Sequence, residues 1–460
     1  MSRLLRNVDI AWLVAFRALF GATMSVSMLR FLYYGWVERL FVAPSFHFKY
    51  WGFSWVEPLS AGGMRALFVA LTLLALCVAL GFAFRLTAPA FALGLSYFQL
   101  IDVSTYLNHY YLAALLAWLL SVSPAHRALS VDAWLWKGVR RSQVPVGWLY
   151  LFRAQIGIVY VFAGLAKAQT DWLIHAQPLR IWLGKSTHLP LIGPFFTWDP
   201  APLILSWCGF LFDSTVVGFL LYRRTRPYAY AAVIVFHTLT RLLFPIGMFP
   251  VIMTLSALMF FEPDWPRAWL ARARKLFGRA PAAPAPELEV PRSEPLAATS
   301  LQRAAVALGV AYCAVQLAMP LRFLAYGGNV LWHEQGMRFS WRVMVRAKGG
   351  NTTFVVHSPR TGHIWRVSPR AYLTGLQESE MSSQPDLILQ LARHIQHDFE
   401  QRGLGPVEVR ADSRVALNGR RGRPFLDPDV DLARVEDGLS KASWVLPSPS
   451  EAPAHTRPVL

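Results

Sequence analysis

The sequence predicts a polytopic α-helical membrane protein of about nine transmembrane helices with a C-terminal extracytoplasmic α+β domain. Three observations predict it. Of 460 residues, 54% are hydrophobic and only 16% charged, with a mean hydropathy of +0.34. A soluble chain of this length would need about a quarter of its residues charged to cover two or three domains. Apolar runs able to cross a hydrocarbon core of about 30 Å recur through the first two thirds of the chain. The basic residues behind the net charge of +18 fall in short clusters between those runs. The same figures exclude a disordered chain, a collagen-like repeat and a disulfide scaffold. Cys77, Cys208 and Cys313 each sit inside an apolar run, so they form no secreted disulfide framework.

The runs are 10–34, 64–84, 88–103, 110–122, 148–168, 203–222, 228–244, 247–261 and 304–323. Arg85 alone separates the second from the third, which suggests a tight helical hairpin. The first run follows Arg3 and Arg6, as in a signal peptide, but it is too long and no small-residue cleavage site follows, so it reads as the first span. The basic clusters are Arg3 and Arg6; Arg127, Lys137, Arg140 and Arg141; Arg223, Arg224 and Arg226; and Arg267 to Arg279. Nine spans with a cytoplasmic N-terminus place all four clusters inside, as the positive-inside rule requires. Residues 34–63, 169–202 and everything after 324 then lie outside. No aromatic-studded basic face is present, so nucleic acid is not an expected partner.

The expected organisation is a membrane domain over 1–325, with 279–300 as an Ala/Pro/Glu-rich cytoplasmic linker, an α+β domain over 326–447 and a disordered tail over 448–460. Residues 352–357 and 363–367 alternate around Thr361-Gly362 and predict a hairpin. Leu387, Leu391, Ile395 and Phe399 predict a helix over 386–402 ending at Gly403. Residues 407–417, followed by Asn418-Gly419, predict a further strand and turn.

Ionisable groups in lipid need a partner, a cavity or a chemical role. Asp102 ends the third run, Asn108 and His109 open the fourth, Lys167 closes the fifth, and His237 and Arg241 lie in the seventh. The alternating topology brings them to similar depth near the outer face, which suggests one pocket opening outward. Lys167 in apolar surroundings would be a neutral amine able to act as a base; the plainer alternative is a lysine snorkelling to the interface. His109 can serve as an interhelical hydrogen bonder and Asn108 as a helix cap. His109 and His237 could also ligate a haem, although neither recurs at a regular offset. No metal-spaced Cys/His set, phosphate loop or Ser-His-Asp order is evident, so no metal is expected.

The segments YLNHYYLAALL, HRALSVDAWL, RAQIGIVYVFAGLAKAQTDW, FHTLTRLLFPIGMF, FFEPDWP, RFSWRVMV, FLDPDVD and SWVLP, in this order, resemble the vitamin K-dependent γ-glutamyl carboxylase family, including bacterial members with the horizontally transferred transmembrane (HTTM) domain. The resemblance implies an enzyme that oxygenates vitamin K hydroquinone, or menaquinol, to its epoxide with O2. The resulting strong base would carboxylate the glutamate of a peptide or protein substrate with CO2. The AG-x-x-K-x-x-x-DW context maps the family base onto Lys167, with Ala166 where animal members carry a second lysine. The Asn-His pair maps onto Asn108 and His109, with His109 bonding the quinone oxygen and Asn108 orienting it. The histidine before IGMF maps onto His237, and His237, Arg241 and Asp102 are expected on the cofactor side. Arg322 stands where animal members carry a histidine late in catalysis. Animal members extend far beyond SWVLP into a luminal region that helps engage propeptides, so quinol oxidation is the half of the reaction that the resemblance carries most directly. Two rivals remain: a membrane quinone or haem oxidoreductase without carboxylation, and a non-catalytic quinone or lipid carrier. A bacterial inner membrane is the expected location ahead of the endoplasmic reticulum.

Overall fold

A computed structural model of the chain describes residues 2–277 and 299–454. Most of the expected linker, 279–298, and the end of the expected tail, 455–460, lie outside the described residues.

Each of the nine apolar runs is helical. The helices are α1 (Ala11–Tyr33), α2 (Ala61–Leu80), α3 (Phe84–Ile101), α4 (Asn108–Val122), α5 (Val146–Lys167), then a one-turn α6 (Thr170–Leu173), α7 (Ala201–Leu221), α8 (Arg226–Leu243), α9 (Phe249–Ala257) and, after an exposed amphipathic α10 (Trp265–Leu276), α11 (Ser300–Leu321). Five of them, α1, α2, α5, α7 and α11, are long and apolar enough to cross a membrane. The expectation of nine spans is therefore met by length and composition in five. At 1.5 Å per residue, α4 with 15 residues reaches only about 22 Å.

Local chemistry sets the helix ends. Ser60 caps α2 by accepting the Gly63 N–H, and α2 stops at Gly81, whose φ of 64° suits glycine. The Asp132 carboxylate receives the N–H groups of Ala83 and Phe84 at 2.7 and 2.8 Å, capping α3 from a distant loop. Arg17, buried in α1, donates to the carbonyls of Ala125 and Leu129. Gly21 lets α1 and α2 touch: a Cβ there would meet Ala79 N at 2.5 Å.

The connecting loops gather at two ends. At one end, β1 (Asn7–Asp9) pairs antiparallel with β2 (Gln143–Pro145), Arg267 bonds Asp9, and Arg226 bonds Glu262. At the other end lie Lys167 and the loops that meet the sheet domain. Because α5 runs directly from β2 to Lys167, the two sets of loops are on opposite ends.

The C-terminal region is a four-stranded antiparallel sheet in the order β4-β3-β5-β6, with β3 (Lys348–His357), β4 (Ile364–Val367), β5 (Glu408–Leu417) and β6 (Arg423–Pro424). Two helices accompany it, α12 (Gly375–Met381) and α13 (Pro385–Gln401). The β3–β4 hairpin turns through the expected Thr361-Gly362, and α13 buries Leu387, Leu391, Ile395 and Phe399. β3 begins four residues earlier than the alternation indicated, because Gly349 and Gly350 carry no side chain to reveal a pattern. The tail expected to be disordered is partly anchored: Arg420 donates to the Glu451 carbonyl and Ala454 N–H to the Gly419 carbonyl. The hydrophobic core of this region extends into the membrane domain, where it includes Ala166 and Trp172 on either side of Lys167.

Candidate functional site at the domain junction

Lys167 is the last residue of α5 and only 5% exposed. Its Nζ lies 2.7 Å from Asp213 Oδ2 on α7, 3.2 Å from the Ala163 carbonyl and 5.2 Å from the centre of the Trp172 ring. The sequence reading treats this amine as uncharged in apolar surroundings and names no partner for it; the structure gives it a buried carboxylate, Asp213. A buried pair is neutral overall and so avoids the cost of a lone charge. The missed residue carried a signal, since Asp213 is the one acidic residue of α7.

The two helices come together because Gly164 has no side chain. A Cβ at that position would stand 2.6 Å from Ser214 Oγ and 2.9 Å from Ser214 N. One turn before Gly164 on the same face, Tyr160 shares a 3.0 Å hydrogen bond with His237 Nε2 of α8. His237 is 3% exposed, and Phe212, Phe236 and Phe249 surround its ring. Its Nδ1 is buried with no hydrogen-bond partner among the described residues. Lys167, Asp213, Tyr160 and His237 thus form one cluster across α5, α7 and α8.

His109 and Arg241 meet elsewhere, at the loop between α8 and α9. Gly247, at φ +60°, presses its backbone on the His109 ring, so a Cβ there would come within 3.1 Å of Cε1 and Nε2. The Gly247 carbonyl accepts from Arg241 Nη1 at 3.3 Å. Asn108 Oδ1 accepts from the Tyr106 hydroxyl at 2.9 Å, and that hydroxyl accepts the Phe339 N–H at 2.9 Å. Asn108 therefore faces the RFSW segment. Arg322 reaches the same segment, donating to the Arg338 carbonyl at 2.6 Å.

Asp102 stands in a third group. Its Oδ1 takes Ser104 N–H and Oγ, and its Oδ2 meets His47 Nδ1 at 3.2 Å and Gln377 Nε2 at 2.8 Å. Both oxygens are committed to protein groups, and Gln377 belongs to α12 of the sheet domain. Asp102 is a joint between domains, where the sequence reading expects a cofactor contact.

The six residues expected in one outward pocket make their contacts in three sets, and α8 links two of them, since His237 and Arg241 lie one turn apart on it. Two cavities are lined by other residues. An apolar one of about 460 Å³ runs between α5, α7 and α11, lined by Gly157, Ile158, Val161, Val217, Cys313 and Leu317 among others. A second of about 390 Å³ lies on the sheet domain beside Arg360 and His363. Among the described residues no group of three or more His, Cys, Asp or Glu is arranged to hold a metal ion.

Two family models match the chain. That of the HTTM domain covers residues 5–265, more than half of the chain. That of the vitamin K-dependent gamma-carboxylase lumenal domain covers residues 301–451, beginning inside α11 and ahead of the expected boundary at 326. No solved structure matches.

Proposed function

The chain belongs to the vitamin K-dependent gamma-carboxylase family, and on that premise we propose that it converts a reduced naphthoquinone to its epoxide and uses the reaction to carboxylate peptide glutamate. The buried Lys167–Asp213 pair carries this reading. Asp213 accepts the ammonium proton along the 2.7 Å hydrogen bond, and the freed amine takes a proton from the hydroquinone hydroxyl. The pair stays neutral before and after the first transfer, which an apolar site tolerates. Oxygen then supplies the oxidising equivalents. The alkoxide so generated removes the γ-proton of glutamate, and the carbanion captures CO2. Burial keeps water from quenching either base.

The residues around His237 suit such a co-substrate. Three phenyl rings pack on the His237 imidazole and make the surroundings apolar, and its Nδ1, without a partner among the described residues, offers one hydrogen-bonding site to a quinone oxygen. His109, with Asn108 beside it, is assigned to a quinone oxygen, and Arg241 acts through the Gly247 loop that holds His109. Vitamin K hydroquinone and menaquinol are both candidate co-substrates.

The alternation of helices between two ends supports nine crossings, the shorter ones closed by their neighbours. The end holding Arg226 and Arg267 is assigned to the cytoplasm. The Lys167 end and the sheet domain are then extracytoplasmic, in a bacterial inner membrane. A quinol reaches such a site from the bilayer and a peptide from outside.

The test supplies vitamin K hydroquinone, O2, labelled bicarbonate and a glutamate-containing peptide to purified protein. Epoxide with label in the peptide is the expected result. Epoxide without label removes the carboxylation half and leaves an epoxidase. Absence of both products overturns the proposal.

A further inference from the structure

The short helix after Lys167 is held from the sheet domain. Asp171 has both oxygens engaged by Arg420, Nη2 to Oδ1 and Nη1 to Oδ2, each at 2.7 Å, and Asn418 Nδ2 adds a third bond at 2.9 Å. The Arg420 and Asp171 side chains are 12% and 9% exposed. The turn carrying these donors is itself anchored. Asn418 is fully buried at φ +50°, and it exchanges hydrogen bonds of 2.8 Å with Ala347 through its backbone N–H and its Oδ1. Arg420 Nε donates to the Glu451 carbonyl at 2.8 Å.

On the membrane side, Asp171 is followed directly by Trp172. The Trp172 indole N–H donates to the Ser206 carbonyl at 2.7 Å, and its ring lies 5.2 Å from Lys167 Nζ. An unbroken chain of contacts therefore runs from the C-terminal segment through Arg420 and Asp171 to the indole that covers the lysine.

We propose that Arg420 is a positioning residue for the Lys167 amine: by clamping Asp171 it keeps the Trp172 ring against Lys167, so the sheet domain completes the membrane site. A bidentate guanidinium–carboxylate contact fixes orientation as well as distance. Asp171 and Trp172 share one helical turn, so their backbone moves as a unit. Without the guanidinium, Asp171 keeps a single donor in a buried place and draws toward water. The indole leaves with it, and solvent reaches the amine. The inference rests on the reading of Lys167 as the base.

The test uses the full chain in lipid nanodiscs, with reductive methylation by formaldehyde and cyanoborohydride read by mass spectrometry. Arg420→Gln should raise modification of Lys167 about tenfold while exposed Lys185 is unchanged. Arg420→Lys, which keeps the charge but loses the fork, should fall between. Gln377→Leu, at the other domain joint, should leave Lys167 at the wild-type rate. In turnover, Arg420→Gln should lower kcat for hydroquinone oxidation about tenfold and leave the KM of a glutamyl peptide within about twofold. Wild-type labelling of Lys167 in Arg420→Gln overturns the proposal; if that variant does not fold, Arg420→Lys decides in the same way. An equal rise in Gln377→Leu also overturns it, because any loosened joint would then suffice. If the wild-type protein oxidises no hydroquinone, the functional reading fails, and the labelling still decides the clamp.

Discussion

Lys167 on α5 and Asp213 on α7 face each other across 2.7 Å with side chains 6% and 7% exposed. Gly164 makes the approach possible by letting the Ser214 backbone lie where a side chain would otherwise stand. A base and its proton acceptor are therefore brought together by helix packing, at the point where the membrane domain meets the sheet domain.

Breaking this pair should cost more than deleting it. Lys167→Met or Asp213→Asn alone leaves a buried group uncompensated and should destabilise the protein by about 3–5 kcal/mol. Lys167→Met with Asp213→Leu should recover most of that loss. All three should oxidise hydroquinone at least about 100-fold more slowly. Thermal unfolding in detergent and epoxide formation check the two parts. Full activity in Lys167→Met would remove the lysine from the mechanism.

Gly247→Ala should damage the site through His109. The backbone there is left-handed, and the added Cβ would stand 3.1 Å from the imidazole. The strain costs about 1–2 kcal/mol and the ring must move, so the oxidation rate should drop about tenfold in a folded protein. Gly218→Ala, with nothing within 4 Å of its Cβ, is the control and should be neutral.

Gln377→Leu should loosen the joint between domains without altering quinol binding. It removes the 2.8 Å donor to Asp102 Oδ2, leaving that buried oxygen with His47. The expected loss is about 1–3 kcal/mol of stability, with an unchanged KM for hydroquinone. A raised KM at unchanged stability would return Asp102 to the cofactor.

The sheet domain should carry a pH signature from Lys348. This side chain is buried beside Glu334 at 2.9 Å, and burial lowers its ammonium from 10.5 to about 8, against the pull of Glu334. Between those values the unfolded chain holds a proton that the folded protein has released, so stability should rise as pH rises from about 8 to 10.5. The rise attributable to this group is roughly 3 kcal/mol. Lys348→Met should lack it, which comparison of urea midpoints across that range will measure. Parallel pH profiles for the two proteins would contradict the assignment.

Much of this protein is legible from local pattern. Hydropathy located the helices of the nine apolar runs because burial in lipid or core demands a continuous apolar stretch wherever the partner lies. The α13 face and the Thr361-Gly362 turn were readable for the same reason, since helical spacing and turn chemistry act within a few residues. The residue types at Lys167, His109 and His237 stood out because each is costly among apolar neighbours.

Which groups those residues meet was decided by the tertiary structure. An apolar helix such as α7 exposes no stripe from which its facing can be deduced, so nothing in its spacing aims Asp213 at Lys167. The partners of Asp102 and Asp171, Gln377 and Arg420, come from the sheet domain more than two hundred residues away. Depth along the membrane follows from counting residues. Azimuth around each helix, and the docking of one domain on another, follow only from packing, and these give Asp102 its partner Gln377 and His109 its contact with the Gly247 loop.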